Sequence, residues 1–199
     1  MHRRHILLGA GALIFVPALA PQAWAANPAE DFVSTNIQAG FDILNDQSLA
    51  PVARRDRFAS FLLGLTDARR VALFLLGRYA DGQSQEDLDA YVAAYQDYAL
   101  SIYQAYFQLY AGQTLRVNSS RERAPGDFIV TTNMVGQPNL AMEIDFRVRT
   151  DGAKPLLVDV AVAGVWLSLA QRDQIQAVMA QNKGDIKALI AHLRAMGKG

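Results

Sequence analysis

The chain of 199 residues contains no cysteine. That excludes disulfides, thiolate chemistry and a lipid anchor on cysteine, and it suits an oxidising compartment. Histidine is almost as scarce. His2 and His5 lie in the leader described below, so His192 alone remains in the body of the chain. One histidine without cysteine argues against a His-based triad and against a zinc site, and no metal and no cofactor are expected. Charge of one sign is also missing. The formal net charge is +0, from 19 basic and 19 acidic residues. Such a balance argues against nucleic acid as a partner. There is no long hydrophobic run. Ile6 to Ala20 is apolar but is broken by Pro17 and falls short of the ~20 residues that a spanning helix needs.

That short run belongs to a leader. Arg3 and Arg4 form a basic start, the apolar run follows, and Ala23-Trp24-Ala25 offers a small-x-small cleavage site before Ala26. Residues 1–25 therefore read as a secretory signal peptide, and an uncleaved anchor is the competing reading. Export by the general secretory route is expected. The Arg3-Arg4 pair also permits a twin-arginine signal. Residues 26–199 suit one domain with a single sizeable core. Without the leader the body keeps 17 basic and 19 acidic residues.

The body begins with helical signals. Asn27-Pro28 places a capping residue before a proline at the first helical position. Phe32, Val33, Ile37, Phe41 and Leu44 then recur at helical spacing. Pro51 opens a second helix with Val52, Phe58, Phe61, Leu62 and Leu65 inward. Arg54, Arg55 and Arg57 form its solvated face or a dock for an anionic partner. Thr66-Asp67 caps a third helix, Ala68 to about Tyr79, apolar nearly all round and expected to be buried. Ser84 and Asp87 resemble a capping box before a long fourth helix, Gln85 to about Tyr110. Tyr91, Tyr95, Tyr98, Tyr103, Tyr106 and Tyr110 crowd it. These tyrosines either pack a core with hydroxyls at its wet edge or line the mouth of a cavity.

After Ala111-Gly112 the period changes from 3.6 to 2. Strands are expected at Thr114–Ser120, Phe128–Val135, Leu140–Thr150 and Leu156–Ala163. The third alternates most cleanly, with Leu140, Met142, Ile144, Phe146 and Val148 on one face. Glu143, Asp145, Arg147 and Arg149 occupy the other. Short turns bearing glycine or proline imply an antiparallel meander. Its greasy face must be covered by helices, which makes the chain α+β. Two helices close the chain. Ser168 is expected to cap the first, which carries Ile175, Val178 and Met179. The second carries Ile186, Leu189, Ile190 and Leu193, with His192 beside that stripe. Asp159 and Glu143 are the first candidates for carboxylate-only hydrolysis, yet each also reads as an outward strand residue.

Two blocks carry a family resemblance. One is Ala72 to Tyr106, in which Leu76-Gly77-Arg78-Tyr79 matches best. The other is Val158 to Leu193, in which Asp159, Gly164, Val165, Leu167, Arg172 and Gly184 fall on the pattern. In order and spacing they resemble the periplasmic MlaC/toluene-tolerance family, which includes hopanoid-associated members. Ala80 departs from the family's usual Trp, Trp166 from a common Ser, and Val158-Asp159 from an aromatic-Asp pair. The resemblance implies a helical layer on a curved antiparallel sheet of about four strands, enclosing an apolar cavity. It implies a periplasmic protein that is not an enzyme. Such a protein carries a phospholipid or hopanoid-like lipid between an inner-membrane ABC transport complex and an outer-membrane lipoprotein complex. A monomer is expected. Leu76, Tyr79, Tyr95, Met142, Ile144, Phe146, Val160 and Val162 are the candidate lining residues. A closed core of the same residues would read identically, so an exported interaction module with a solid core stands as the alternative.

Overall fold

The structure is a computed structural model that describes residues 27–107, 114–136 and 142–197. The leader, Leu140, and the far end of the fourth helix with Tyr110 lie outside the described residues, as do the side chains of Tyr103 and Tyr106.

Helix α1 spans Pro28–Asn45. The Asn27 carboxamide oxygen accepts from the Ala29 N–H at 3.0 Å and closes its first turn. Its amide nitrogen donates to Ser120 Oγ at 2.7 Å, which ties the helix to the sheet. Helix α2 spans Pro51–Leu65 and has no side-chain cap. Helix α3 spans Ala68–Leu76, with Asp67 accepting from the Arg70 N–H at its start. The expected continuation to Tyr79 tightens into a 3-10 turn, Gly77–Ala80. Gly77 sits at φ +57, and a side chain there would meet the Arg172 guanidinium and the Gln176 amide at 2.9 Å. Helix α4 spans Gln85–Phe107. Ser84 and Asp87 do meet as a cap: the Asp87 N–H donates to Ser84 Oγ at 3.1 Å.

Among the described residues five antiparallel strands follow in the order β1-β2-β3-β4-β5. They are β1 Thr114–Ala124, β2 Asp127–Val135, β3 Glu143–Arg149, β4 Leu156–Val162 and β5 Val165–Trp166. The sheet is thus the expected meander with one strand more, because β5 is two residues long and leads at once into a helix. Helix α5 spans Leu167–Gln181 and α6 spans Ile186–Met196.

Two cores result. Val33 and Ala29 of α1 pack on Val130 and Val148 of the sheet, with Phe128, Phe146 and Leu157 beside them. Leu75, Leu76, Tyr91, Tyr95, Ile175, Met179 and Leu189 belong to a second core, built among α3, α4, α5 and α6. The other face of the sheet is polar. Arg147 grips Asp127 with two parallel bonds of 2.9 and 2.8 Å.

Three local expectations are corrected. Val52 is 59% exposed, because it precedes the part of α2 that faces α1. Phe74 is 44% exposed, with the Arg172 guanidinium stacked 4.6 Å above its ring, so α3 shows one apolar side to water. Ser168 does not cap α5. The cap position is Trp166, and Ser168 lies inside the helix with its hydroxyl bound to Asp159.

Candidate functional site

The covered face of the sheet holds an apolar groove with a volume of about 160 Å³. Helix α1 supplies Phe32, Ile37, Phe41 and Leu44 as one wall, and α2 supplies Phe58, Phe61, Leu62 and Leu65 as the roof. Leu115 of β1, Phe146 of β3 and Leu157 of β4 form the floor. Among the described residues Asn36 is the one polar side chain in the lining, and its amide donates to the Phe32 carbonyl at 2.7 Å. The groove therefore offers a ligand almost nothing but hydrocarbon. Gly40 lets the two helices meet closely, since a Cβ there would touch the Phe58 and Phe61 rings at 3.4 Å. The roof is lightly held: α2 has no buried residue along its length.

Of the eight candidate lining residues, one belongs to the sheet-side core and three to the helical core. Phe146 lines the groove. Ile144, Val160 and Val162 share its face of the sheet, since Phe146 pairs with Val160 and Ile144 with Val162. All four are half-buried. Met142 is half-buried just before β3, and its carbonyl accepts from the Met134 N–H at 2.9 Å. Leu76, Tyr79 and Tyr95 belong to the helical core. Leu76 is fully buried there, and the Tyr95 hydroxyl donates to Gln171 Oε1 at 2.9 Å. Half-buried Tyr79 lies under the Arg78 guanidinium, 5.1 Å from its ring centroid. The α1 and α2 residues were visible in the sequence only as two amphipathic stripes. Their phenylalanines were the signal, and nothing in either stripe says that the two helices face each other over the sheet.

Tyr91 and Tyr98 are buried as well, and desolvation pushes both phenols above their ordinary range. Among the two candidate carboxylates, Glu143 is exposed. Asp159 accepts from the backbone N–H groups of Val160 and Ser168 at 2.9 and 3.1 Å.

A second concavity, of about 260 Å³, opens between α3 and the strands β3 and β4. It carries charge where the groove has none, with Arg70, Arg147, Arg149, Asp67 and Asp159 in its wall beside Val71, Phe74, Leu157 and Val158. The guanidinium bonds of Arg147 hold the Asp127 carboxyl below the usual carboxylate range. Leu157 lines both concavities.

No protein among the curated sequences matches this chain. Among solved structures it is similar to the phospholipid-binding protein of Ralstonia solanacearum, solved in complex with a phospholipid. The two share 18% sequence identity with a TM-score of 0.75, over 86% of this chain and 98% of that one. The likeness is one of fold. In sequence, the MlaC protein family model matches residues 34–195, and the chain belongs to that family.

Proposed function

We propose that this protein is a non-catalytic lipid carrier that holds acyl chain in the groove between α1, α2 and the sheet. The observation that carries the reading is a groove lined by hydrocarbon under a helix that buries no residue. Moving a lipid through water exposes its tails at about 0.8 kcal/mol per methylene. A chain of roughly 15 methylenes then needs about 12 kcal/mol of compensating burial. Only a dry apolar pocket supplies that. Family membership and the phospholipid bound to the Ralstonia protein support the same cargo class. On this reading residues 1–25 direct export to the periplasm. There the carrier passes its lipid between an inner-membrane ABC transport complex and an outer-membrane lipoprotein complex.

The groove is smaller than the ~300–1,000 Å³ of ordinary ligand pockets. It takes a segment of one chain as it stands, so loading requires α2 to swing outward. The same small volume favours the second reading, an exported protein-interaction module with a solid core.

Native mass spectrometry of the purified chain, with lipid analysis of its organic extract, separates the two. The carrier gives a mass excess that resolves into diacyl or terpenoid lipid. In the variant Leu62→Trp, which fills the groove from its roof, occupancy falls about tenfold while the circular dichroism spectrum is kept. A clean apo mass, with no uptake from labelled vesicles, leaves the interaction module as the reading.

A further inference from the structure

We infer that the cleft beside Leu157 is a phosphate-binding subsite, with Arg70 as its anchor, and that the phosphate is the one on the head group of the groove's own lipid. The inference rests on the lipid reading above.

Among the described residues three guanidinium groups enter the cleft, and they are not equivalent. Arg147 is committed to Asp127 by two bonds. Arg149 is committed to Asp151 in the same forked manner. Arg70 makes no ion pair and no side-chain hydrogen bond among the described residues; only its backbone N–H is engaged, by Asp67. It is therefore the cation with donors to offer.

The carboxylates of the wall are engaged with the backbone. Asp67 Oδ1 accepts from the Arg70 N–H at 2.9 Å and starts α3. Asp159 accepts from Val160 N–H, Ser168 N–H and the Ser168 hydroxyl. Asp151 stands at the same end as Arg70 and Arg149. The bond from Arg149 lowers its pKa most, and the charges of Arg149 and Arg70 add to the effect. Two guanidinium groups thus flank one carboxylate, and one of them is unbonded. A planar fork with free donors favours an oxyanion of phosphate geometry.

The position of the cleft ties it to the groove. Arg147 and Arg149 alternate with Phe146 and Val148 along β3, so cleft and groove open on opposite faces of that strand. They meet at the edge of β4. There Leu157 lines both, and its bridge to Thr66 marks the divide, with Leu65 in the groove and Thr66 in the cleft. An amphiphile has this division: a charged end for the cleft and a hydrocarbon end for the groove, on either side of the Thr66–Leu157 bridge.

The test compares the full chain with Arg70→Gln, a change at an exposed position that leaves both cores untouched. Vesicles carry either labelled phosphatidylglycerol or labelled diacylglycerol, which lacks the phosphate. The expected result is a ten- to hundredfold loss of phosphatidylglycerol uptake in Arg70→Gln, the range that one charge-assisted contact gives. Diacylglycerol uptake should be equal in the two proteins, and Arg70→Lys should recover part of the loss. Equal phosphatidylglycerol uptake by wild type and Arg70→Gln overturns the head-group assignment. Titration with inorganic phosphate decides the remaining source. Phosphate binding by wild type and not by Arg70→Gln, with lipid uptake unchanged, assigns the cleft to free phosphate instead. If wild type takes up neither lipid, the groove reading is what fails, and the phosphate titration alone then upholds or removes the subsite.

Discussion

Tyr91 carries its hydroxyl into the helical core and donates it to the Ala72 carbonyl at 2.9 Å. The residue is fully buried, and desolvation raises its pKa well above the ordinary value of 10.0. A raised pKa on an acid that is neutral when protonated fixes the sign. Below pH 10 both folded and unfolded chains hold the proton, and the contribution is complete. Above pH 10 the unfolded chain loses the proton while the folded chain keeps it, so stability falls as pH rises, by at most about 1.4 kcal/mol per pH unit from this one group. Tyr91→Phe should cost about 1 kcal/mol at pH 8 through the lost hydrogen bond. It should also flatten the alkaline fall. Urea unfolding at pH 8 and pH 11 measures both; equal pH slopes in the two proteins would remove Tyr91 as the cause. Sequence left the tyrosines of α4 open between core and cavity mouth. Tyr91 and Tyr95 turn out to be core residues with satisfied hydroxyls. A spacing of four along a helix says which face they share, not what covers it.

At the scale of elements, the piece around Gly164 binds sheet to helix. Ala163 and Gly164 both have positive φ, 50° and 79°, which is the backbone of a tight hairpin turn between β4 and β5. That turn brings Asp159 of β4 under the start of α5, where it accepts from the Ser168 N–H at 3.1 Å. A strand residue therefore satisfies an orphan donor that a helix normally satisfies from its own cap. Asp159→Ala should lower stability by about 1–2 kcal/mol, and Asp159→Asn by less, because one acceptor oxygen remains. A smaller urea midpoint for Ala than for Asn, with equal m-values, is the expected pattern; equal midpoints would mean that the contact does not hold α5. The helices and the alternation of β3 were legible in the sequence, since caps and periods are local. Asp159 as a cap was not, because its partner is nine residues on and is reached only through the turn. Phe74 misled for a similar reason. Its neighbours in sequence are apolar, and only the packing of α5 decides that its ring meets Arg172 and water.

The whole molecule sets one core among helices α3 to α6 beside another in which α1 and α2 cover the sheet, and the difference between the two covers bears on loading. The sequence reached the floor of the groove through Phe146. It did not reach the roof, because which helix lies over a sheet is decided by tertiary packing of stripes that look alike. Helix α4 buries Tyr91, Ala94, Tyr95 and Tyr98, whereas α2 buries nothing. Local opening free energies follow buried apolar contact, so α2 should open far more often than α4. Hydrogen exchange read by mass spectrometry should then find α2 amides exchanging at least tenfold faster than those in the first three turns of α4. Loading from lipid vesicles should fill the groove, convert the half-buried faces of Phe58, Phe61 and Leu62 into fully buried ones, and slow exchange in α2 selectively. Slowing spread evenly over the chain would report global stabilisation by a ligand bound elsewhere. Protection in the free protein as strong in α2 as in α4 would show that the roof is fixed, and a groove of about 160 Å³ under a fixed roof cannot admit an acyl chain.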